Sequence, residues 1–186
     1  MTMGTIEPFV LPLNDGQSVR IRSADPADAE GLLAYVADIL EECEFMVTEP
    51  GEFDKTVEQE RQWIADHRDP SGNLCLLAEV AGTVVGIVSF EVRRHRRVSH
   101  VGGLGISVRK GWRGCGIGSA LLKACLDWAQ REPQIEKVGL AVFSSNEAAI
   151  NLYRKFGFVE EGRRYHEMKL GPGKYVDDVL MYRWVK

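Results

Sequence analysis

The chain has 186 residues, of which 45% are hydrophobic and 27% are charged, a composition typical of a globular domain that buries its own core. The formal net charge of −4 argues against a general binder of nucleic acid or of membranes, and no apolar run is long enough to span a bilayer. The four cysteines form no Cys-x-x-Cys pair, so we expect reduced thiols in a cytoplasmic protein and no metal site. The first residues carry no Lys or Arg ahead of their apolar side chains, which differs from the pattern of a signal peptide.

The first third of the chain predicts a strand followed by two helices. We assign residues 1–17 to an N-terminal lead-in and residues 18–186 to a single domain. Residues 19–22 alternate as a short strand, and Asp25 followed by Pro26 is a typical helix start. A second helix is expected after residue 51, with Asp54 as its N-cap.

From Leu74 onward the pattern favours strands. Residues 74–80 and 84–92 are predicted as a hairpin around the turn Ala81-Gly82, and a further apolar run ends at Val108. A helix over 117–131, a buried strand over 138–143 and a helix over 146–156 follow. Two strands over 158–168 and 175–184 complete a mixed sheet covered by helices.

The junction between the strand ending at Val108 and the next helix is rich in glycine, with Gly at 111, 114, 116 and 118. Glycine allows a ligand to approach the backbone closely, and a helix N-terminus offers unpaired N–H groups to an anion. Arg113 adds a positive charge. This pattern predicts a pyrophosphate site, because several successive amides are exposed; a simple tight turn would need only one glycine.

Two known phosphate signatures do not fit this loop. A P-loop requires a Lys and a Ser or Thr after its last glycine, and no Lys follows Gly116 or Gly118. A dinucleotide-binding fingerprint requires Gly-x-Gly-x-x-Gly, and here the third glycine comes one position early.

The pattern Arg-Gly-x-Gly-x-Gly after a strand ending in Val resembles the pyrophosphate loop of the GNAT (GCN5-related N-acetyltransferase) superfamily. A second segment, residues 140–158, resembles the family in its Asn-x6-Tyr followed by Gly-Phe. The resemblance extends from about Val19 to Trp184. It implies an α+β fold, an α/β/α sandwich with a mostly antiparallel mixed sheet of about seven strands and four helices. It also implies an acetyl-CoA-dependent N-acetyltransferase that uses no metal.

The resemblance also implies roles for individual residues. The backbone of Ile106 and Val108, with Ser107 between them, would pair with the pantetheine arm of acetyl-CoA. Asn146 would contact the same arm, and Tyr153 would face the thioester sulfur as the acid. The amides of one continuous run would cradle the pyrophosphate: Arg113, Gly114, Cys115, Gly116, Ile117, Gly118 and Ser119. On a helix, residues seven apart return to nearly the same face about 10 Å along the axis, so Asn146 and Tyr153 can line one groove; a core role for Tyr153 is the alternative.

The general base is less evident, because the strand before the glycine loop contains no Asp or Glu. Glu91 and His100 are the candidates, acting directly or through water. Glu91 could instead be an exposed strand residue and His100 a polar residue near a turn, and an acceptor amine that is already neutral would need no base.

We expect the acceptor to be chosen by the loop after the first helix, through Glu44 and Phe45, and by the last hairpin, through Tyr165. The expected acceptor is a primary amine of a small molecule, an amino acid or a peptide N-terminus. Two alternatives remain: acetylation of a protein such as a ribosomal protein, and a non-catalytic acyl-CoA sensor. No nucleic-acid or membrane partner is expected, and a homodimer through the C-terminal strands is common in folds of this type.

Overall fold

The computed structural model describes residues 4–13, 16–70 and 72–186. Its strands are β1 (Phe9–Pro12), β2 (Ser18–Ser23), β3 (Leu74–Val80), β4 (Thr83–Val92), β5 (Val101–Val108), β6 (Lys137–Phe143), β7 (Val159–Gly171) and β8 (Lys174–Trp184). Its helices are α1 (Ala29–Glu42), α2 (Val57–Arg68), α3 (Ile117–Arg131) and α4 (Glu147–Lys155). The strands form one sheet in the order β1-β2-β3-β4-β5-β6-β8-β7, antiparallel throughout except between β5 and β6.

This architecture confirms the predicted α+β fold with four helices and a mostly antiparallel sheet. The strand beyond the expected seven is β1, which pairs with β2 from Phe9↔Ile21 to Pro12↔Ser18. It belongs to the stretch that we assigned to the lead-in, of which residues 1–3, 14 and 15 lie outside the described residues. The division into a lead-in and one domain stays a prediction.

The helix starts follow local capping chemistry, and one of them corrects the sequence analysis. Asp25 accepts a hydrogen bond from the Ala27 amide at 3.1 Å and caps a short 3-10 turn that leads into α1. The N-cap of α2 is Thr56 and not Asp54, because Thr56 and Gln59 form a reciprocal capping box. The helix starts at Thr56 because the capping box satisfies two backbone N–H groups at once, whereas the Asp54 carboxylate would act alone.

The helices cover the sheet on two faces. α1 and α2 pack on one face, where their apolar side chains surround Cys75 and Leu77. α3 and α4 pack on the other, with the larger core. Within the described residues, none of the helices has the length and hydropathy needed to cross a membrane, and His, Cys, Asp and Glu side chains form no group suited to a metal ion.

The sheet is split at its one parallel junction. β5 and β6 pair only over Val101↔Lys137, Gly102↔Val138 and Gly103↔Gly139. Beyond Gly103, β5 continues beside β4 as far as Val108, while β6 continues beside β8 as far as Phe143. We call the wedge between residues 104–108 of β5 and 140–143 of β6 the gap; it leaves two strand edges available to a ligand.

Candidate active site

The backbone of β5 alternates between the two sides of the strand. The amide of Arg109 donates to the carbonyl of Val85, and the carbonyl of Val101 accepts from the amide of Arg93, so odd-numbered residues bond to β4. The even-numbered residues Leu104, Ile106 and Val108 therefore turn their amides and carbonyls toward the gap.

Of the three β5 residues to which we assigned cofactor contacts, this alternation turns the backbone of two toward the gap and that of one toward β4. Ile106 and Val108 have the orientation that their predicted roles require. Ser107 does not, because its backbone faces β4 and its Oγ lies 2.9 Å from the Tyr35 hydroxyl on α1. Burial raises the pKa of Tyr35 well above its usual value, so this hydroxyl pair stays neutral and ties β5 to α1.

The N-terminus of α3 lies directly after β5, and its amides are open. Gly114 and Gly116 have φ of +77° and +88°, a left-handed backbone that favours glycine. Gly116 is the N-cap and cannot supply a side-chain acceptor, whereas Thr56 and Asn146 cap α2 and α4. The first bond within the helix runs from the Ala120 amide to the Gly116 carbonyl at 3.0 Å. The preceding amides of the first turn are therefore available to an anion, at the positive end of the helix dipole.

The remaining loop residues surround this helix start. The exposed Arg113 side chain donates from Nε to the Val108 carbonyl at 2.9 Å, which places its guanidinium between the loop and the gap. Cys115 is exposed, with its Sγ 3.7 Å from the Arg113 carbonyl oxygen. Ile117 is buried in the core, so its backbone is the part that an anion can reach. An added Cβ at Gly118 would lie 3.7 Å from Leu152 of α4, so the first turn of α3 packs closely against that helix.

α4 brings Asn146 and Tyr153 to the same face of the sheet as α3. The Asn146 Oδ1 accepts a hydrogen bond from the Ala149 amide at 3.1 Å, which leaves the side-chain NH₂ for a ligand. Tyr153 is buried against Phe158, with ring centroids 5.8 Å apart. Among the described residues its hydroxyl has no hydrogen-bond partner, and burial raises its pKa to about 12. Tyr153 is therefore a protonated donor without a protein acceptor.

On the opposite face, the positions beside the gap carry almost no side chain. Gly103 and Gly105 of β5 and Gly139 and Ala141 of β6 share the α1/α2 face, and all four are at least partly exposed. An added Cβ at Gly103 would meet no atom closer than 4.0 Å. We call this strip the trough: a molecule lying in it can reach the gap from the face opposite Tyr153.

The two candidate bases occupy different ends of β5. Glu91 lies on β4 opposite Gly103, at the inner end of the gap, and its side chain is 59% exposed beside the trough. Its Oε1 is 3.3 Å from Nε2 of the buried His67 on α2. His100 precedes β5 and contacts Trp184, with ring centroids 6.4 Å apart. The paired part of β5 and β6 therefore separates His100 from the gap.

The residues predicted to choose the acceptor lie around the far end of β6. Phe45 packs edge-to-face on Phe143, with centroids 6.4 Å apart, and Glu44 is exposed beside it. Tyr165 is 75% exposed on β7, at an irregularity of the β7–β8 pairing two strands away from β6. The structure thus brings Glu44 and Phe45 to the mouth of the gap and leaves Tyr165 at the sheet edge.

His67 and Arg164, which contact acidic residues close to the gap, were not identified as candidate site residues from the sequence. Arg164 lies 3.2 Å from the buried Asp178, which is opposite Phe143 and whose pKa is raised by burial. The available signal for His67 was its spacing, because Glu60, Ile64 and His67 share the buried face of α2. For Arg164 no local pattern pointed to this partner.

The split sheet beside a glycine-initiated helix offers unpaired backbone groups suited to an extended, anionic ligand. The model of the Acetyltransferase (GNAT) family matches residues 33–158. The chain belongs to this family and is an acetyl-CoA-dependent acyltransferase.

Individual relatives agree with this assignment. The L-amino acid N-acetyltransferase AaaT of Escherichia coli (strain K12) is 33% identical over 126 residues, covering 67% of this chain and 76% of the relative. The structure of a GNAT-family acetyltransferase from Streptococcus pneumoniae superposes with a TM-score of 0.86 at 30% identity, covering 90% of this chain and 99% of the other. The ribosomal-protein-alanine N-acetyltransferase from Brucella melitensis superposes with a TM-score of 0.76 at 30% identity, covering 88% and 98%.

Proposed function

We propose that the protein transfers the acetyl group of acetyl-CoA to a primary amine of a small molecule, an amino acid or a peptide N-terminus, by direct attack in a ternary complex. The observation that carries the proposal is the gap between β5 and β6, where the two strands no longer pair. The α3 N-terminus follows the end of β5, α4 with Tyr153 packs on one face of the sheet, and the trough lies on the other.

The donor site follows from the free backbone groups. The amides at the start of α3, with the Arg113 guanidinium beside them, suit a pyrophosphate. The inward-facing groups of Ile106 and the amide of Val108 would hold the pantetheine amides as an added strand, since the Val108 carbonyl already accepts from Arg113. The side-chain NH₂ of Asn146 would bind from the α4 side. Acetyl-CoA supplies the acetyl group as a thioester, which an amine can attack.

The thioester end belongs deeper in the gap than Val108. Val108 adjoins the pyrophosphate loop, and Leu104 lies about 13 Å further in along the strand. The amides of Leu104 and Ile106 face the gap at this depth and would donate to the oxyanion. Tyr153 would donate its hydroxyl proton, or a hydrogen bond, to the sulfur as the C–S bond breaks.

Glu91 would receive the proton of the acceptor amine. An ordinary primary amine with a pKa of about 10.4 is protonated near neutral pH and must lose a proton before it attacks. Glu91 is level with Gly103, where the gap closes, and its partner position on β5 carries no side chain. A carboxylate at this point can take the proton directly or through one water.

Two acceptor classes fit the trough. The ammonium group of a small amine or of an amino acid would be attracted by Glu91 and Glu44, and the relative AaaT is named for L-amino acids. A peptide N-terminus would fit because the main contacts of α1 and α2 with the sheet are on β4 and β3, away from β8 and β7. The structural relative from Brucella melitensis is named for a ribosomal-protein alanine.

A panel of amines tests the proposal. Acetyl-CoA is incubated with the protein and with L-amino acids, simple primary amines or short peptides, and the free CoA thiol is measured. We expect release that depends on a free amine and disappears when the same acceptor is N-acetylated beforehand. Tight acetyl-CoA binding with no release above background for any amine would contradict the proposal and support the sensor alternative.

A further inference from the structure

We propose that Glu42 is a positioning residue: it caps the turn that opens the glycine loop, fixes this loop for acetyl-CoA and links it to the acceptor loop. The glycine loop joins β5 to α3 over residues 109–116, and we call residues 43–50, directly after α1, the acceptor loop. The inference rests on the proposed function, because it assumes that the pyrophosphate binds at the start of α3 and the amine binds near Glu44. Glu42 is the last residue of α1 and acts through its neighbours.

The turn that opens the glycine loop is capped from another part of the chain. A short 3-10 turn, Lys110–Trp112, follows Arg109, whose guanidinium has no acceptor atom with which to cap it. The amide of Lys110 donates instead to Oε1 of Glu42 at 2.8 Å. A free amide at the start of a helical turn needs such an acceptor. Glu42 therefore does for this turn what an N-cap side chain does for a helix.

The same turn sets the position of the arginine assigned to the pyrophosphate. The carbonyl of Lys110 accepts from the amide of Arg113 at 3.3 Å, and the Arg113 Nε donates to the Val108 carbonyl at 2.9 Å. Arg113 is thereby held to both ends of the stretch that Glu42 caps. A loop that is ordered before its ligand arrives loses less conformational entropy on binding. Fixing the Lys110 amide therefore favours the binding of acetyl-CoA.

α1 makes further contacts with the same stretch of chain. The Arg109 guanidinium donates to Oδ2 of Asp38 and lies 5.2 Å from the ring centroid of Tyr35. Tyr35, Asp38 and Glu42 follow one another at intervals of three and four residues, so they share one side of α1. This side of the helix lies against the end of β5 and the start of the glycine loop.

The acceptor loop begins directly after Glu42. Three residues further on, Phe45 packs edge-to-face on Phe143 of β6, with ring centroids 6.4 Å apart. The short segment from Glu42 to Phe45 therefore joins the glycine loop, on the β5 side of the gap, to β6 on the other side. Ordering of the glycine loop by acetyl-CoA also restricts the acceptor loop, and the coupling between the two binding events is reciprocal.

The charge of Glu42 does not account for its place beside this loop. A carboxylate near a pyrophosphate repels it, so charge alone would weaken binding. Two substitutions separate the charge from the hydrogen bond. Gln keeps a side-chain oxygen that can accept from Lys110 and lacks the charge, whereas Ala lacks both. The difference between the two variants therefore reports the cap.

Calorimetry with acetyl-CoA is the first test. We expect the Kd of Glu42→Ala to be about five- to tenfold higher than that of Glu42→Gln, the effect of one lost hydrogen bond. Glu41→Ala removes the exposed carboxylate next to it on α1 and is the control, with an unchanged Kd. Equal Kd values for Glu42→Ala and Glu42→Gln would overturn the inference.

Hydrogen–deuterium exchange tests the link to the acceptor loop. In the unmodified protein, acetyl-CoA should slow exchange in a peptide covering residues 43–50 as well as in the glycine loop. In Glu42→Ala, the protection of residues 43–50 should be lost. Unchanged exchange of residues 43–50 in the unmodified protein at saturating acetyl-CoA would overturn the link, and this measurement does not depend on the folding of any variant.

Kinetics with the acceptor found in the amine panel distinguish positioning from chemistry. Glu42→Ala should raise the KM of both substrates and leave kcat within about twofold, and Glu42→Gln should restore the KM values. A fall in kcat with unchanged KM values would overturn the positioning role. If no amine is acetylated, the proposed function fails, and calorimetry and exchange decide the role of Glu42 by themselves.

Discussion

The open amides at the start of α3 make a specific prediction for Gly116→Glu. The residue has φ of +88°, so any side chain there costs about 1 kcal/mol of backbone strain. A carboxylate about 5 Å from a bound pyrophosphate adds a repulsion of about 1–2 kcal/mol for each of the two charges. The strain is present with and without the ligand and lowers stability, whereas the two repulsions, about 2–4 kcal/mol together, correspond to a rise of at least about 30-fold in the Kd of acetyl-CoA. Isothermal titration calorimetry measures this change.

Two further variants separate the causes. Gly116→Gln carries the backbone strain without the charge, so its Kd should lie much closer to that of the unmodified protein than to that of Gly116→Glu. Gly82→Glu places a carboxylate at φ of +81° in the β3–β4 turn, also with no atom within 4 Å of the added Cβ. It should lower the Tm by about 2–4 °C and leave the Kd unchanged. If Gly116→Glu bound acetyl-CoA within threefold of the unmodified protein, the assignment of the pyrophosphate to this loop would be wrong.

Other substitutions probe the remaining parts of the structure. Tyr153→Phe should lower kcat about 10- to 100-fold and leave the Kd of acetyl-CoA unchanged. Because burial holds the pKa of Tyr153 at about 12, the loss of this hydroxyl should not alter the pH profile of kcat below pH 10. A new alkaline limb in that profile would count against this role. An added Cβ at Gly102 would lie 2.0 Å from a phenylalanine ring, so Gly102→Ala should destabilise the fold by about 1–3 kcal/mol. Gly103→Ala, in contrast, should keep the Tm and raise the KM of the acceptor. Equal losses of Tm in the two variants would refute this contrast. Burial opposes ionisation of Asp28, but the hydrogen bonds from Arg22 and from the Asp25 amide, together with the charges of Arg22 and Arg68, outweigh it and lower the pKa of Asp28. This contribution to stability is therefore present above about pH 4 and lost as the pH falls. Urea unfolding should show a weaker acid dependence for Asp28→Asn, and an unchanged dependence would exclude this linkage.

The donor side of the site was accessible from the sequence because it is local. The glycines, Arg113 and the start of α3 are consecutive, and their spacing alone excludes two other phosphate loops. Asn146 and Tyr153 share one helix, so their common face follows from helical geometry. The succession of strands and helices along the chain was predictable for the same reason, since each element rests on a short periodic pattern.

The acceptor side depends on register and on contacts between distant segments. The sequence proposes Glu91 and His100 equally, and only the pairing of β4 with β5 puts Glu91 opposite Gly103 while the paired end of β5 separates His100 from the gap. His67 reaches Glu91 from α2, 24 positions earlier, through packing that no local pattern encodes. The Asp54 prediction failed because several residues can start a helix and the capping box at Thr56 is the stronger signal.

Hydrogen–deuterium exchange with and without acetyl-CoA tests the donor site most directly. With acetyl-CoA bound, we expect slower amide exchange in peptides covering 104–108 of β5 and 113–119 at the start of α3, because the cofactor would occupy these amides. The β1–β2 pair, away from the gap, should exchange at the same rate in both samples. Saturating acetyl-CoA that protects other segments and leaves residues 104–119 unchanged would contradict the assignment of the gap and the glycine loop as the donor site.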